Sequence, residues 1–268
     1  MGRVGRTAPF LVALVLVCRS AGAEDYAVGL RYDARWGPLA VLSMELTSRI
    51  GDDRYEATSV LQTEGLIGKV FPWRSNAESH GRREGGVLRP EWHRSDGTYR
   101  SERRTVAIDY PADGPMRVIV TPRPEKQRDV VPEELQEATV DPLTASLLTV
   151  GTDCRGVVPV FDGRRRYDLR LTEQPAAAVP READEVYTGT ARRCLATVEA
   201  RAGQWRDDPR KSDKPTTLEF WIASPREGVP PIPVYLELSG ARGTLAMVLT
   251  RVRILDSIGS SVHSSQAW

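Results

Sequence analysis

Two cysteines, two histidines and an excess of arginine are the side chains of this chain best equipped for chemistry, and each has a structural use that competes with a chemical one. Cys154 and Cys194 show no Cys-x-x-Cys spacing and no histidine nearby, which favours a disulfide over a metal or redox site. Closing that loop would restrict the unfolded chain by about 4 kcal/mol in the chain-entropy model. His80 and His93 fall on runs that read as adjacent strands, with Glu78 or Glu91 as further potential ligands, yet the pair lacks the tight spacings of zinc sites. Neither a metal nor a cofactor is expected. There is no Gly-x-Ser-x-Gly elbow, no free cysteine beside a histidine and no glycine-rich loop opening a helix. The expectation is therefore a protein without catalytic residues. Asp162 and Asp168 resemble a carboxylate pair, but Asp162 precedes Gly163 and is explained by a turn.

Arginines cluster between Arg82 and Arg104 and again at Arg164, Arg165 and Arg166. Guanidinium groups suit phosphate and carboxylate recognition, so an anionic envelope component is one reading. Glu84, Glu91 and Glu102 are interspersed, and a solvated face with cross-strand ion pairs looks the same. Arg164, Arg165 and Arg166 remain as candidate partner-binding residues. Residues 65–73 read G-L-I-G-K-V-F-P-W, where glycine and proline punctuate Leu66, Ile67, Val70, Phe71 and Trp73. The default for this stretch is a wide turn tucked into the core; the alternative is a mobile loop that touches an apolar ligand. With Leu143 and Leu147 these five residues form the candidate ligand-binding set.

The elements that must position these side chains begin with a leader. Arg3 and Arg6 precede an apolar run over residues 8–18, and Ala21-Gly22-Ala23 offers the small-x-small pattern of a signal peptidase site, so cleavage is expected after Ala23. The apolar run has about half of the roughly 20 residues needed to span a bilayer. Cleavage removes Cys18, which leaves Cys154 and Cys194 as a pair in an oxidising compartment. It also takes three of the 37 basic residues, leaving 34 against 36 acidic. That balance gives no electrostatic case for nucleic acid. No later stretch is apolar enough to be an integral membrane segment, and the expected location is the periplasm.

From Tyr26 onward the pattern is period two in short runs separated by Gly51-Asp52-Asp53, Gly85-Gly86, Asp96-Gly97 and Asp113-Gly114-Pro115. This predicts an all-β fold: a curled antiparallel sheet, as an open or half β-barrel, because a flat sheet of about ten strands would expose two edges. One short α-helix interrupts it, capped by Asp141, with Pro142 at its first position, Leu143, Leu147 and Leu148 on one face, and Gly151 as its stop. As an isolated amphipathic helix it reads equally as a plug over one barrel mouth or as a filler between strands. Residues 157–161 and 164–171 predict a hairpin across Asp162-Gly163, with Tyr167, Leu169 and Leu171 on one face. Residues 207–215 read as a solvated loop. The run 245–249 is apolar on both faces and reads as a packed central strand or one lining a cavity. Residues 24–255 are expected to form a single domain, and 256–268, which include His263, a flexible tail.

The block V-F-D-G-R-R-R-Y-D-L at 160–169, preceded by Asp141-Pro142-Leu143 and Cys154 and followed by Trp221 and P-V-Y-L-E at 233–237, resembles the bacterial exported family called domain of unknown function 3108. The resemblance covers nearly the whole mature chain and implies no catalytic residues, since that family carries no established activity. At the level of fold it looks distantly like the open-barrel lipoprotein carriers of the LolA and LolB kind; such likeness does not fix function. The leading expectation is a non-catalytic envelope protein holding an apolar or lipid-like ligand on its concave face. A scaffold that binds an envelope protein or the cell wall through its arginines is the alternative, and an envelope hydrolase is a third.

Overall fold

The computed structural model describes residues 25–99, 101–181, 185–206, 216–240 and 243–256. The expected leader and its cleavage site, Arg100, the loop 207–215, His263 and the rest of the tail lie outside them. The N-terminal half contains β1 (Tyr26–Trp36), β2 (Leu39–Ile50), β3 (Arg54–Thr63), helix α1 (Gly65–Val70), β4 (Trp73–Glu84), β5 (Val87–Tyr99), β6 (Glu102–Asp109) and β7 (Arg117–Thr121). Helices α2 (Glu133–Gln136) and α3 (Pro142–Gly151) follow. The second half contains β8 (Gly156–Phe161), β9 (Arg166–Ala178), β10 (Thr190–Ala202), β11 (Thr216–Ala223), β12 (Ile232–Gly240) and β13 (Gly243–Ile254).

All 13 strands form one antiparallel sheet in the order β7-β6-β5-β4-β3-β2-β1-β13-β12-β11-β10-β9-β8. The chain starts in the middle of the sheet, meanders to one edge, crosses to the other edge through α2 and α3, and meanders back until β13 pairs with β1. The curl of the sheet brings residues from near its two edges together. Ile108 of β6 and Phe161 of β8, near opposite edges, share a buried cluster with Val131 of the crossing segment. Arg164 donates from Nη2 to the Pro122 carbonyl oxygen at 2.8 Å across the same seam. No ladder joins β7 to β8, so the barrel is unclosed. The open edge of β8 is covered instead: Val140 N–H donates to Pro159 O at 3.0 Å, and Phe161 N–H donates to Val140 O at 2.9 Å. Register shifts between Arg31 and Tyr32, Ala34 and Arg35, and His80 and Gly81 mark bulges that add the bend such a curl requires.

Alternation sorts the side chains. Ser48, Ala57, Ser79 and His93 lie opposite one another on β2 to β5, as do Leu46, Ser59, Ala77 and Ser95, and both rows face the concave side. The convex face carries many of the arginines, in exposed pairs such as Arg82 with Glu91 at 2.7 Å, Arg103 with Asp96 at 2.5 Å, and Arg94 with Asp109. Pairs of this kind contribute little each. The apolar run near the C-terminus is a central, packed strand: Ala246, Val248 and Leu249 are buried in a cluster with Trp221 and Tyr235, which Val179 and Val229 from the connections also join.

Three expectations need correction. Asp96-Gly97 is not a turn, because β5 runs through it to Tyr99. A Cβ on Gly97 would sit 2.9 Å from the Arg74 carbonyl oxygen, so this glycine permits a close strand approach rather than a reversal. The described residues contain three helices, not one; α1 and α2 span only six and four residues, too short to show a period. Finally, residues 162–165 form a four-residue loop: Asp162 N–H donates to Arg165 O at 3.1 Å, and Asp162 Oδ1 accepts from the amides of Arg164 and Arg165. Gly163 supplies the positive φ of +86°.

Candidate functional site

The curl and α3 together enclose a cavity of about 400 Å³. One wall is apolar: Val28, Leu30 and Tyr32 of β1, Met44 and Leu46 of β2, and Leu143 and Leu147 of α3. The adjoining wall, next to it in the same sheet, is small and mostly polar: Ser59 of β3, Ser75 and Ala77 of β4, and His93 and Ser95 of β5. The hollow follows from side-chain size, since serine and alanine at successive concave positions leave space that leucine would fill. Met44, Leu46, Ser59, Ser75, Ala77 and Ser95 remain partly exposed although they face inward. A second cavity of about 710 Å³ lies along the other side of α3 and shares Tyr26, Leu147 and Val150 with the first. Arg83 and Arg192 line it, Arg83 donating to Gly51 O at 2.9 Å and Arg192 to Asp153 at 2.5 Å.

Helix α3 is held in the barrel from both ends. At its start, Asp141 is fully buried and caps the helix, with Oδ1 accepting from the amides of Leu143 and Thr144 at 3.0 and 2.9 Å. The same oxygen accepts from Ser79 Oγ at 2.7 Å and lies 3.1 Å from His93 Nδ1, while Oδ2 accepts from Thr144 Oγ1 at 2.6 Å. Thr144 Oγ1 also bonds the Tyr55 hydroxyl at 2.7 Å. Burial pushes the Asp141 carboxyl pKa up, but the hydrogen bonds it receives, from His93 first and then from Thr144 and Ser79, outweigh it and hold the pKa below its ordinary value. The Tyr110 hydroxyl is buried without a hydrogen bond; burial raises its pKa, and the charge of Asp141 adds to the rise. At the other end of α3, Cys154 is bonded to Cys194 of β10, and both are fully buried within the apolar cluster of Val158, Leu171 and Phe220. The disulfide thus ties the end of the helix to the sheet. Leu147 and Leu148 pack on Ile50, Tyr55 and Leu88 at the end of the barrel formed by the β2–β3 and β4–β5 turns, so the helix plugs that end.

Ser79, His93 and Asp141 are the three residue types of a nucleophilic triad, but their arrangement differs from one. Ser79 Oγ lies 2.8 Å from Nδ1, the nitrogen that Asp141 also approaches. A serine to be activated must instead bond the ring nitrogen left free by the carboxylate. Nε2 of His93 has no hydrogen-bond partner among the described residues. His93 and His80 face opposite sides of the sheet: His93 lines the cavity, whereas His80 stacks on Trp92 at 4.2 Å and bonds Glu78 at 2.9 Å outside it. Among the described residues no group of three His, Cys, Asp or Glu is placed to hold a metal ion.

Of the candidate ligand-binding set, Leu143 and Leu147 line the first cavity. Leu66, Ile67, Val70 and Phe71 do not; they belong to α1 and its cap, on the β3–β4 connection at the end of the barrel opposite the plug. Leu66, Val70 and Phe71 are 69%, 67% and 51% exposed, which corrects the expectation that this stretch is buried. Among the described residues this six-residue helix buries none of its own side chains. Trp73 is half-buried and continues the inward register of Ser75 and Ala77 toward that rim. Phe71→Asp is therefore expected to fold normally, with a melting temperature within about 2 °C of the parent, since exposed substitutions usually fall within about 0.5 kcal/mol. A thermal melt followed by circular dichroism checks this.

Arg164, Arg165 and Arg166 are each engaged within the fold: Arg164 at the seam, Arg165 with Asp162 at 2.8 Å, and Arg166 with Asp168 at 2.6 Å and the Leu135 carbonyl oxygen at 3.1 Å. The serine wall escaped a search for motifs because it is spread over three strands, and His93 entered that search only as a metal-ligand candidate beside His80. The signal was the alternation itself, with small residues, Ser75, Ala77 and Ser79, where a packed sheet carries large apolar ones.

The sequence pattern of one family matches residues 27–250, from the second residue of β1 to well inside β13. The chain belongs to the family described as Protein of unknown function (DUF3108). Among solved structures, this DUF3108 chain is similar to the beta-barrel-like protein of domain of unknown function DUF1849 from Brucella abortus. That likeness has a TM-score of 0.49 and 11% identity, over 87% of this chain and 99% of the other. No curated protein matches the sequence. No helix among the described residues of the DUF3108 chain is long and apolar enough to cross a membrane.

Proposed function

We propose that this DUF3108 chain is a non-catalytic envelope protein of the periplasm that holds an apolar or lipid-like ligand on the concave face of its open barrel. The observation that carries the reading is the hollow between α3 and the sheet: inward-facing Met44 and Leu46 remain partly exposed, and the apolar wall continues through Leu143 and Leu147. At about 400 Å³ it falls in the ordinary range of ligand sites, and its composition, mostly apolar with a few polar groups, is that of such sites. The buried disulfide supports an oxidising compartment, as does the leader pattern.

Extraction of the protein purified from its exporting host, followed by mass spectrometry of the organic phase, is expected to yield bound lipid in near-stoichiometric amount. In vitro, a fluorescent apolar probe is expected to bind the delipidated protein, and Ala77→Phe, which places a ring in the hollow, is expected to weaken binding at least tenfold while the fold persists. Absence of extractable lipid together with equal probe binding by the parent and Ala77→Phe would remove the reading.

A further inference from the structure

The cavity has two unlike walls, and a wholly apolar ligand satisfies only one. On the polar side, His93 is 4% exposed and lines the space. Its ring is fixed by contacts to one nitrogen. Ser79 Oγ donates to Asp141 Oδ1, so the hydroxyl proton is committed to the carboxylate. The close approaches at Nδ1, 2.8 Å to Ser79 Oγ and 3.1 Å to Asp141 Oδ1, then require Nδ1 to carry a proton and donate. In the neutral ring this leaves Nε2 as a bare acceptor. No described protein group donates to it. Ser59, Ser75 and Ser95 line the same wall. A hydrocarbon laid against this wall would take water from Nε2 and from the hydroxyls and return nothing.

Resting on the apolar-ligand reading above, we propose that the ligand is a hydroxylated lipid: a long apolar body bearing a hydroxyl that donates to Nε2 of His93, with the serine wall bonding the same oxygen or a neighbouring one. Asp141 and Ser79 act as positioning residues that set the tautomer. Leu143 and Leu147 of α3, with Met44 and Leu46 of the sheet, hold the apolar body.

The test uses two probes of matched length, 1-hexadecanol and 1-methoxyhexadecane, which differ in the hydroxyl proton. Each competes for the full-length exported protein against a fluorescent apolar reporter. The alcohol is expected to bind roughly fivefold tighter, the value of one hydrogen bond. His93→Phe is expected to erase that preference while still binding the ether. A readout that needs no variant at the site is ¹⁵N-histidine NMR. The alcohol should shift the Nε2 resonance of His93, and the ether should leave it in place, with the other two histidines assigned by His80→Gln and His263→Gln. Equal affinity for the two probes with no Nε2 shift overturns the hydroxyl inference and leaves the apolar cavity standing. Binding of neither probe overturns both.

Discussion

Replacing Cys154 and Cys194 by alanine is expected to cost about 4 kcal/mol and lower the melting temperature by roughly 8–16 °C. The two residues are 40 apart in sequence, and closing a loop of that size removes entropy from the unfolded chain. The bond also does local work, because Cys154 lies three residues beyond the end of α3 and Cys194 sits in the middle of the β9–β10–β11 ladders. Without it the plug is held at its Asp141 end and by the contacts of Leu147 and Leu148, so protease cleavage in the segment from α3 to β8 should rise before global unfolding. Comparison of melts with and without reductant, on the parent and the double variant, checks the first expectation. A loss below about 1 kcal/mol would show that side-chain packing alone fixes the helix.

What the sequence made legible, and what it did not, divides along the range of the interactions. The helix was readable because its signals are local: Asp141, Pro142 and Gly151 stand at fixed offsets from the leucines. The strands were readable where alternation was strong, as in β2, whose Leu42, Met44 and Leu46 face inward. Gly97 misled because glycine serves both turns and close strand approach, and only the partner strand, with the Arg74 carbonyl oxygen against it, decides between them. The same holds for the arginines at 164–166. Their duties depend on Pro122, Asp162, Leu135 and Asp168, two of which lie more than 30 residues away in sequence. The cavity was hidden for a related reason. A void is a property of what six strands and a helix fail to fill, and the polar wall becomes one surface only when register places His93 opposite Ser79 and Ser95 opposite Ala77.

Asp141→Ala, just behind the lining of the cavity, is expected to be strongly destabilising, at roughly 3–5 kcal/mol, because a helix cap is lost and several buried donors are left without an acceptor. Its carboxylate gathers two helix amides, two hydroxyls and an imidazole into one buried point, so its loss strips the cap from α3 and leaves His93, Ser79 and Thr144 without their shared acceptor. Asp141→Asn separates charge from shape: the amide oxygen can keep the helix cap, but its NH₂ cannot accept from Thr144. The pH dependence follows from the lowered carboxyl pKa. Because the folded value lies below the unfolded one near 3.8, the stabilisation is fully present above about pH 4 and is lost as pH falls through the folded value. Other carboxylates contribute to acid unfolding in the same direction, among them Asp168 between Arg166 and Arg201, where burial raises the pKa but the two guanidinium groups bring it below its usual value. The difference between parent and Asp141→Asn isolates the buried site. Denaturant melts at pH 7, 5, 4 and 3 should show the gap between the two proteins constant from pH 7 to 5 and narrowing below pH 4. A gap that stays constant to pH 3 would mean that Asp141 serves as a neutral cap, and would remove the charge that fixes the His93 tautomer.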